Sequence, residues 1–250
     1  MPEKFKEQAV DEFDSWSGTY DEEGFFQRHL FIPTEDHIIK EILSLRKPEE
    51  SFRMLDIGCG TGKLLRKTGE KFANASFTGI DITPGMIKMA QDATDGQDRF
   101  QFQIGDASKR LPFDDASFDY VSCCHSFHHY PDQSTAAKEF RRVLKPGGKL
   151  FFVDSLISSV WGFIMHCVII QTYEKFQTHH FWKGELIGFF DEADLTVERQ
   201  DEARGIVPWL LTICTPKGEG AEGSESEGES KQEPTPSEAN STPETEGESQ

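Results

Sequence analysis

Met54-Leu55-Asp56-Ile57-Gly58-Cys59-Gly60-Thr61-Gly62 is an apolar run that closes on three alternate glycines and leads into an amphipathic stretch from Lys63 to Phe72. Such a run reads as a buried strand feeding a helix through a tight turn. Open α/β sheets bind ligands beyond the carboxyl ends of their strands, so the turn lies where a ligand is expected. Glycine suits that place because it admits close approach of backbone to ligand and adopts positive φ without strain.

Spacing narrows the ligand. A dinucleotide fingerprint counted from Gly58 needs its third glycine at position 63, which is Lys63. A phosphate-binding P-loop needs Ser or Thr after Gly62-Lys63 and a glycine where Ile57 stands, but Leu64 follows. Neither pattern fits.

Working outward, short apolar runs alternate with amphipathic ones, the mark of βαβ units around a parallel sheet. Strands are expected at Arg53 to Ile57, Ser76 to Asp81, Phe100 to Ile104, Phe118 to Cys124, Lys149 to Asp154, Thr196 to Asp201 and Val207 to Thr215. Helices are expected at Lys63 to Phe72, Pro84 to Ala93, Thr135 to Leu144 and Lys183 to Ala193, with Glu35 to Leu45 as part of a helical N-terminal cap. Lys145-Pro146-Gly147-Gly148 reads as a helix stop and turn, and Arg204-Gly205 as the turn of a final hairpin. The expected fold is α/β, a seven-stranded, mostly parallel sheet with helices on both faces.

The second and third strands each end near a carboxylate, Asp81 and Asp106. A carboxylate about 20 residues beyond a glycine turn can accept both hydroxyls of a ribose. With Asp56 before Gly58, Gly60 and Gly62, and with later blocks at Leu111-Pro112-Phe113, Phe118-Asp119-Tyr120-Val121 and Arg141 to Gly148, the stretch from Phe52 to Asp154 resembles the Rossmann-like domain of class I S-adenosylmethionine-dependent methyltransferases. The resemblance implies S-adenosyl-L-methionine as cofactor. It places Asp56, Gly58, Cys59, Gly60 and Gly62 around the amino-acid end, Asp81 on the ribose, Ile82 and Met86 against the adenine, and Asp106 with the Ala107 backbone on the adenine edge.

The fourth strand delivers Cys123-Cys124-His125-Ser126-Phe127-His128-His129-Tyr130-Pro131-Asp132 to the same edge. Adjacent cysteines on a strand face opposite ways and no second ligand pair has suitable spacing, so no metal is expected. His129 is the catalytic candidate, as a base or as a structural residue of the pocket, and His125 is expected to line the cofactor site. His179 and His180 are further pocket candidates.

Phe13 to Asp21 resembles the opening segment of ubiquinone and menaquinone C-methyltransferases and their small-molecule relatives, the type 11 methyltransferase domain group. There the segment forms a lid, which implies that Tyr20 covers the cofactor; packing of a cap helix onto the sheet is the other reading. The apolar insert Leu156 to Tyr173 implies an apolar or aromatic small-molecule acceptor, and it also reads as a buried helix or one resting peripherally on a membrane.

Composition sets the remaining bounds. From Lys217 to Gln250 there is no aromatic or large aliphatic residue, and ten Glu stand against two Lys, so a disordered acidic tail is expected. That leaves −10 of the formal −18 on the rest of the chain, which offers no basic surface for nucleic acid. Five cysteines without paired spacing, no signal-like start and no run near the ~20 apolar residues of a spanning helix predict a cytoplasmic protein without a transmembrane segment. The expected division is a cap or lid over 1–45, a cofactor-binding domain over 46–216 and the tail over 217–250.

Overall fold

A computed structural model of the chain describes residues 10, 11, 14, 34–155, 182–203 and 209–218. Among them, β1 (Arg53–Ile57), β2 (Ser76–Asp81), β3 (Phe100–Ile104), β4 (Phe118–Cys124), β5 (Leu144–Ser155), β6 (Leu195–Ala203) and β7 (Trp209–Pro216) form one sheet in the order β3-β2-β1-β4-β5-β7-β6. The first five strands pair in parallel, and β7 lies antiparallel between β5 and β6. The order reverses direction between β1 and β4, which opens a crevice at their carboxyl ends.

Among the described residues five α-helices cover the two faces: α1 (Thr34–Leu45), α2 (Lys63–Lys71), α3 (Pro84–Ala93), α4 (Gln133–Val143) and α5 (Lys183–Glu192). Successive strand residues point to opposite faces. Met54, Tyr120 and Phe151 therefore pack with Ile38, Leu65 and Ile87 of the first three helices, while Leu55, Val121 and Phe152 pack with Phe140 and Phe190 of the last two. Burial on both faces explains why these strands read as nearly continuous apolar runs.

Several boundaries differ from the sequence expectation, most by one or two residues, and two of the shifts have a visible cause. The Asp132 carboxylate accepts a hydrogen bond from Thr135 N at 2.9 Å, and this cap starts α4 at Gln133 rather than Thr135. The fifth strand starts at Leu144, not Lys149, because Leu144 pairs with Phe118 beyond an irregularity in β4, so Lys145 to Gly148 is carried inside the strand. The Arg204-Gly205 turn, Tyr20, the insert Leu156 to Tyr173, His179, His180 and the tail beyond Gly218 lie outside the described residues. Among the described residues no helix is long and apolar enough to cross a membrane.

Gly79 is paired with Asp56 on one side and Phe102 on the other. A β-carbon there would fall 2.5 Å from the Phe102 ring and 2.8 Å from Cys59 Sγ. Gly79→Ala is therefore expected to cost roughly 1–3 kcal/mol by overpacking. The measurement is the guanidinium unfolding midpoint, and adding Phe102→Leu should recover part of the loss.

Candidate active site

The turn after β1 is built from left-handed backbone. Gly58, Gly60 and Gly62 have φ of +73°, +52° and +73°. Gly58 N and Cys59 N both donate to Ile80 O, at 2.9 and 3.0 Å, which laces the turn to the end of β2. At Gly58 a β-carbon would lie 2.3 Å from Ser126 Oγ, so only glycine fits. At Gly60 a β-carbon meets no atom within 4 Å, because the room in front of it is the cavity itself.

Asp81 fixes the turn from below. Its two carboxylate oxygens accept from Gly60 N and Thr83 N, each at 2.9 Å. Burial raises its pKa against these bonds. Asp56 lies opposite Ser122 in the β1–β4 register and accepts from Ser122 Oγ at 2.6 Å. Burial pushes its carboxyl up to about 7, opposed by the Ser122 bond and reinforced by Asp81 and Glu35. Asp106, after β3, accepts from Ser108 N at 3.0 Å.

Above the turn opens a cavity of about 110 Å³ in contact with solvent. Of the residues singled out in the sequence, Gly58, Gly60, Asp81, Ile82, Met86, Asp106, Ala107, His125 and His129 all line it. Three do not: Asp56 is buried beneath the turn, the Cys59 thiol is packed in the core near Gly79, and Gly62 serves as the N-cap of α2.

The rim on the other side follows β4. His125 holds the left-handed region at φ +51°, which is uncommon for a residue with a side chain. Its backbone N donates to Val153 O at 2.8 Å and its Nε2 stands 3.3 Å from Thr34 Oγ1, tying the first helix to the site. Tyr130 Oη and Ser126 Oγ are hydrogen-bonded at 3.0 Å, and Ser126 Oγ donates to Ile57 O. Burial raises the Cys123, Cys124 and Tyr130 pKa values, keeping these groups neutral.

Sequence reasoning missed two members of this region. His128 Nδ1 lies 2.6 Å from Asp154 Oδ1, both side chains are almost fully buried, and the His128 ring centroid is 3.9 Å from that of His129. Asp154 looked like an ordinary strand end, and only the β4–β5 pairing brings it to His128. Thr83 and Ser108 also line the cavity, and their one signal was nearness to Asp81 and Asp106.

Comparison with known proteins agrees with this geometry. A family model described as a methyltransferase domain matches residues 55–152. The demethylmenaquinone methyltransferase of Staphylococcus aureus strain MRSA252 is 32% identical over 218 residues, covering 76% of this chain and 85% of that protein. For the protein of the same name from Staphylococcus epidermidis strain ATCC 35984 the identity is 32% over 153 residues, so the chain spans 61% of that relative's length and the match takes 60% of its own. Among solved structures, the putative methyltransferase in complex with the Trm112 methyltransferase activator of Haloferax volcanii superposes with a TM-score of 0.67 at 25% identity, over 82% of this chain and 97% of that one.

The buried acid beneath the turn makes stability depend on pH. An ordinary aspartate titrates near 4 in an unfolded chain, so the raised Asp56 value means the ionised form is disfavoured by folding. Stability is then greatest at acid pH and falls as pH rises from about 4 through 7, by roughly 4 kcal/mol for this one group. Urea unfolding at pH 5 and pH 7.5 should show the drop, and Asp56→Asn should make it smaller.

Proposed function

Since this chain belongs to the class I S-adenosylmethionine-dependent methyltransferases, in the menaquinone- and ubiquinone-methyltransferase-like group, we propose that it moves the methyl group of S-adenosyl-L-methionine to a small apolar or aromatic acceptor. The observation that carries this reading is the charge of the cavity. Among its described lining residues the acidic side chains are Asp81 and Asp106, and no lysine or arginine is present. A pyrophosphate there would meet repulsion with no counter-charge, whereas a nucleoside bearing a sulfonium and an ammonium meets attraction.

The residues present fit that cofactor. Asp81 would take the ribose, Asp106 and the Ala107 backbone the adenine edge, and Ile82 and Met86 the adenine faces, while Asp56 acts from beneath the turn on the amino-acid end. When bound, the cofactor supplies an electrophilic methyl group on a positively charged sulfur. The protein's part is to hold donor and acceptor in line at near-attack distance and to keep water out. Ile57, Ile80 and Pro131 give the cavity apolar walls, and the staphylococcal relatives, named for a menaquinone precursor, support an acceptor of that class. We assign His129, which lines the cavity, as the side chain that meets the acceptor.

A second reading is favoured by the Haloferax structure, which contains an activator: this chain would then require a small activating subunit. Turnover by the isolated chain excludes it.

Calorimetry tests the cofactor. S-adenosyl-L-methionine should bind and NAD should not, and Asp81→Asn should weaken the binding by roughly 1.5–3 kcal/mol, the range for a hydrogen bond to a charged group. Tight binding of NAD with none of S-adenosyl-L-methionine overturns the reading. An acceptor screen by mass spectrometry, following S-adenosylhomocysteine, then identifies the second substrate.

A further inference from the structure

We propose that Asp154 and His128 form a positioning pair that makes His129 the proton acceptor of this site; the inference rests on the methyl-transfer reading above. The two residues come from neighbouring strand ends. His128 lies in the one-turn helix Phe127–His129 after β4, and Asp154 near the end of β5.

Three contacts fix the carboxylate. Asp154 Oδ1 lies 2.6 Å from His128 Nδ1 and accepts from Ser155 N at 2.7 Å, and Oδ2 accepts from His128 N at 3.2 Å. A carboxylate can only accept, so the imidazole presents its Nδ1 hydrogen to Asp154. The ring is held at both ends, through its own nitrogen and through its backbone. Residual exposure is 5% for His128 and 2% for Asp154. Burying such a pair is costly, and apolar residues of the same volume would serve stability as well or better. A purely structural role therefore gives no reason for these side chains at this place.

Their position gives one. The His128 ring is in contact with the His129 ring, the planes inclined at 48°. His129 lines the cavity and His128 does not. Asp154, almost fully buried and not among the described lining residues, acts through the ring against which His129 rests. The Asp154 charge, poorly screened in this dry corner, also favours the imidazolium that forms when His129 takes a proton.

The step this serves begins with an acceptor that has a proton to lose, such as a weakly acidic hydroxyl. Its O–H proton passes to a ring nitrogen of His129 while the electron pair released forms the new bond to the methyl carbon. The carbon–sulfur bond of the donor breaks with its pair going to sulfur, leaving a neutral thioether. His129 then returns the proton to solvent, so no redox partner is needed.

The test compares phenols of graded acidity as acceptors, from one already ionised at the assay pH to one un-ionised, for the wild type, Asp154→Asn, His128→Gln and His129→Gln. Each variant is first checked for S-adenosyl-L-methionine binding by calorimetry and for its melting temperature. For every variant that binds the cofactor, the loss in kcat should be at least ten-fold greater for the un-ionised phenol than for the ionised one, with KM moving less than three-fold. Equal losses for both phenols, as a general loosening of the site would give, overturn the inference. So does no loss at all. If Asp154→Asn does not fold, His128→Gln carries the same comparison. Failure of the wild type to bind S-adenosyl-L-methionine or methylate any acceptor refutes the parent reading instead.

Discussion

The clasp made by Asp81 is the contact on which the site depends. One carboxylate, standing at the end of β2, holds Gly60 N of the first loop and Thr83 N at the start of α3. It works together with the Ile80 carbonyl, which receives Gly58 N and Cys59 N. Four backbone donors are thereby satisfied by two consecutive residues of one strand. The glycine turn keeps its left-handed shape because its hydrogen bonds have nowhere else to go, and the cavity keeps its floor because the turn does.

The clasp has an electrostatic cost that the fold accepts. Asp56 is buried beneath the same turn, and Asp81 and Glu35 each raise its proton affinity further. Acidic groups gathered in this way are unfavourable in the free protein and favourable once a cationic ligand lies among them. The same low-dielectric setting that raises Asp56 strengthens its attraction for a cation. Attraction for a cationic ligand and a loss of stability at neutral pH then have one physical origin.

What was legible in the sequence follows a physical division. Four strand ranges, Arg53–Ile57, Ser76–Asp81, Phe100–Ile104 and Phe118–Cys124, match the sequence reading because double-sided burial writes itself as apolar runs. The glycine turn was legible because backbone demands leave a spacing, and Asp81 was placed at the cavity by its distance from that turn, but its clasp on Gly60 N and Thr83 N left no mark in the sequence. The start of β5 was not, since Pro146-Gly147-Gly148 has the composition of a turn and only the pairing of Leu144 with Phe118 draws it into the sheet. Cys59 read as a ligand neighbour but belongs to the core, because the residue between two left-handed glycines is turned inward toward Gly79.

The contrast between the two halves of the cavity has the same root. The half over β1 to β3 is built from glycines and carboxylates set by local spacing, so a single stretch of sequence announces it. The half over β4 and β5 is lined by His125, His129 and Tyr130, whose places leave no such spacing in the sequence. His128 and Asp154 are separated by 25 intervening residues, including all of α4, and nothing in either neighbourhood names the other. Their meeting is a product of sheet order, because a right-handed crossover through α4 lays β5 beside β4 and aligns Val153 with Cys124. Asp154 stands one residue beyond that aligned pair on β5 and His128 four residues beyond it, in the one-turn helix after β4, and the two meet at these strand ends. The fold thus creates a chemical relation that no local pattern encodes.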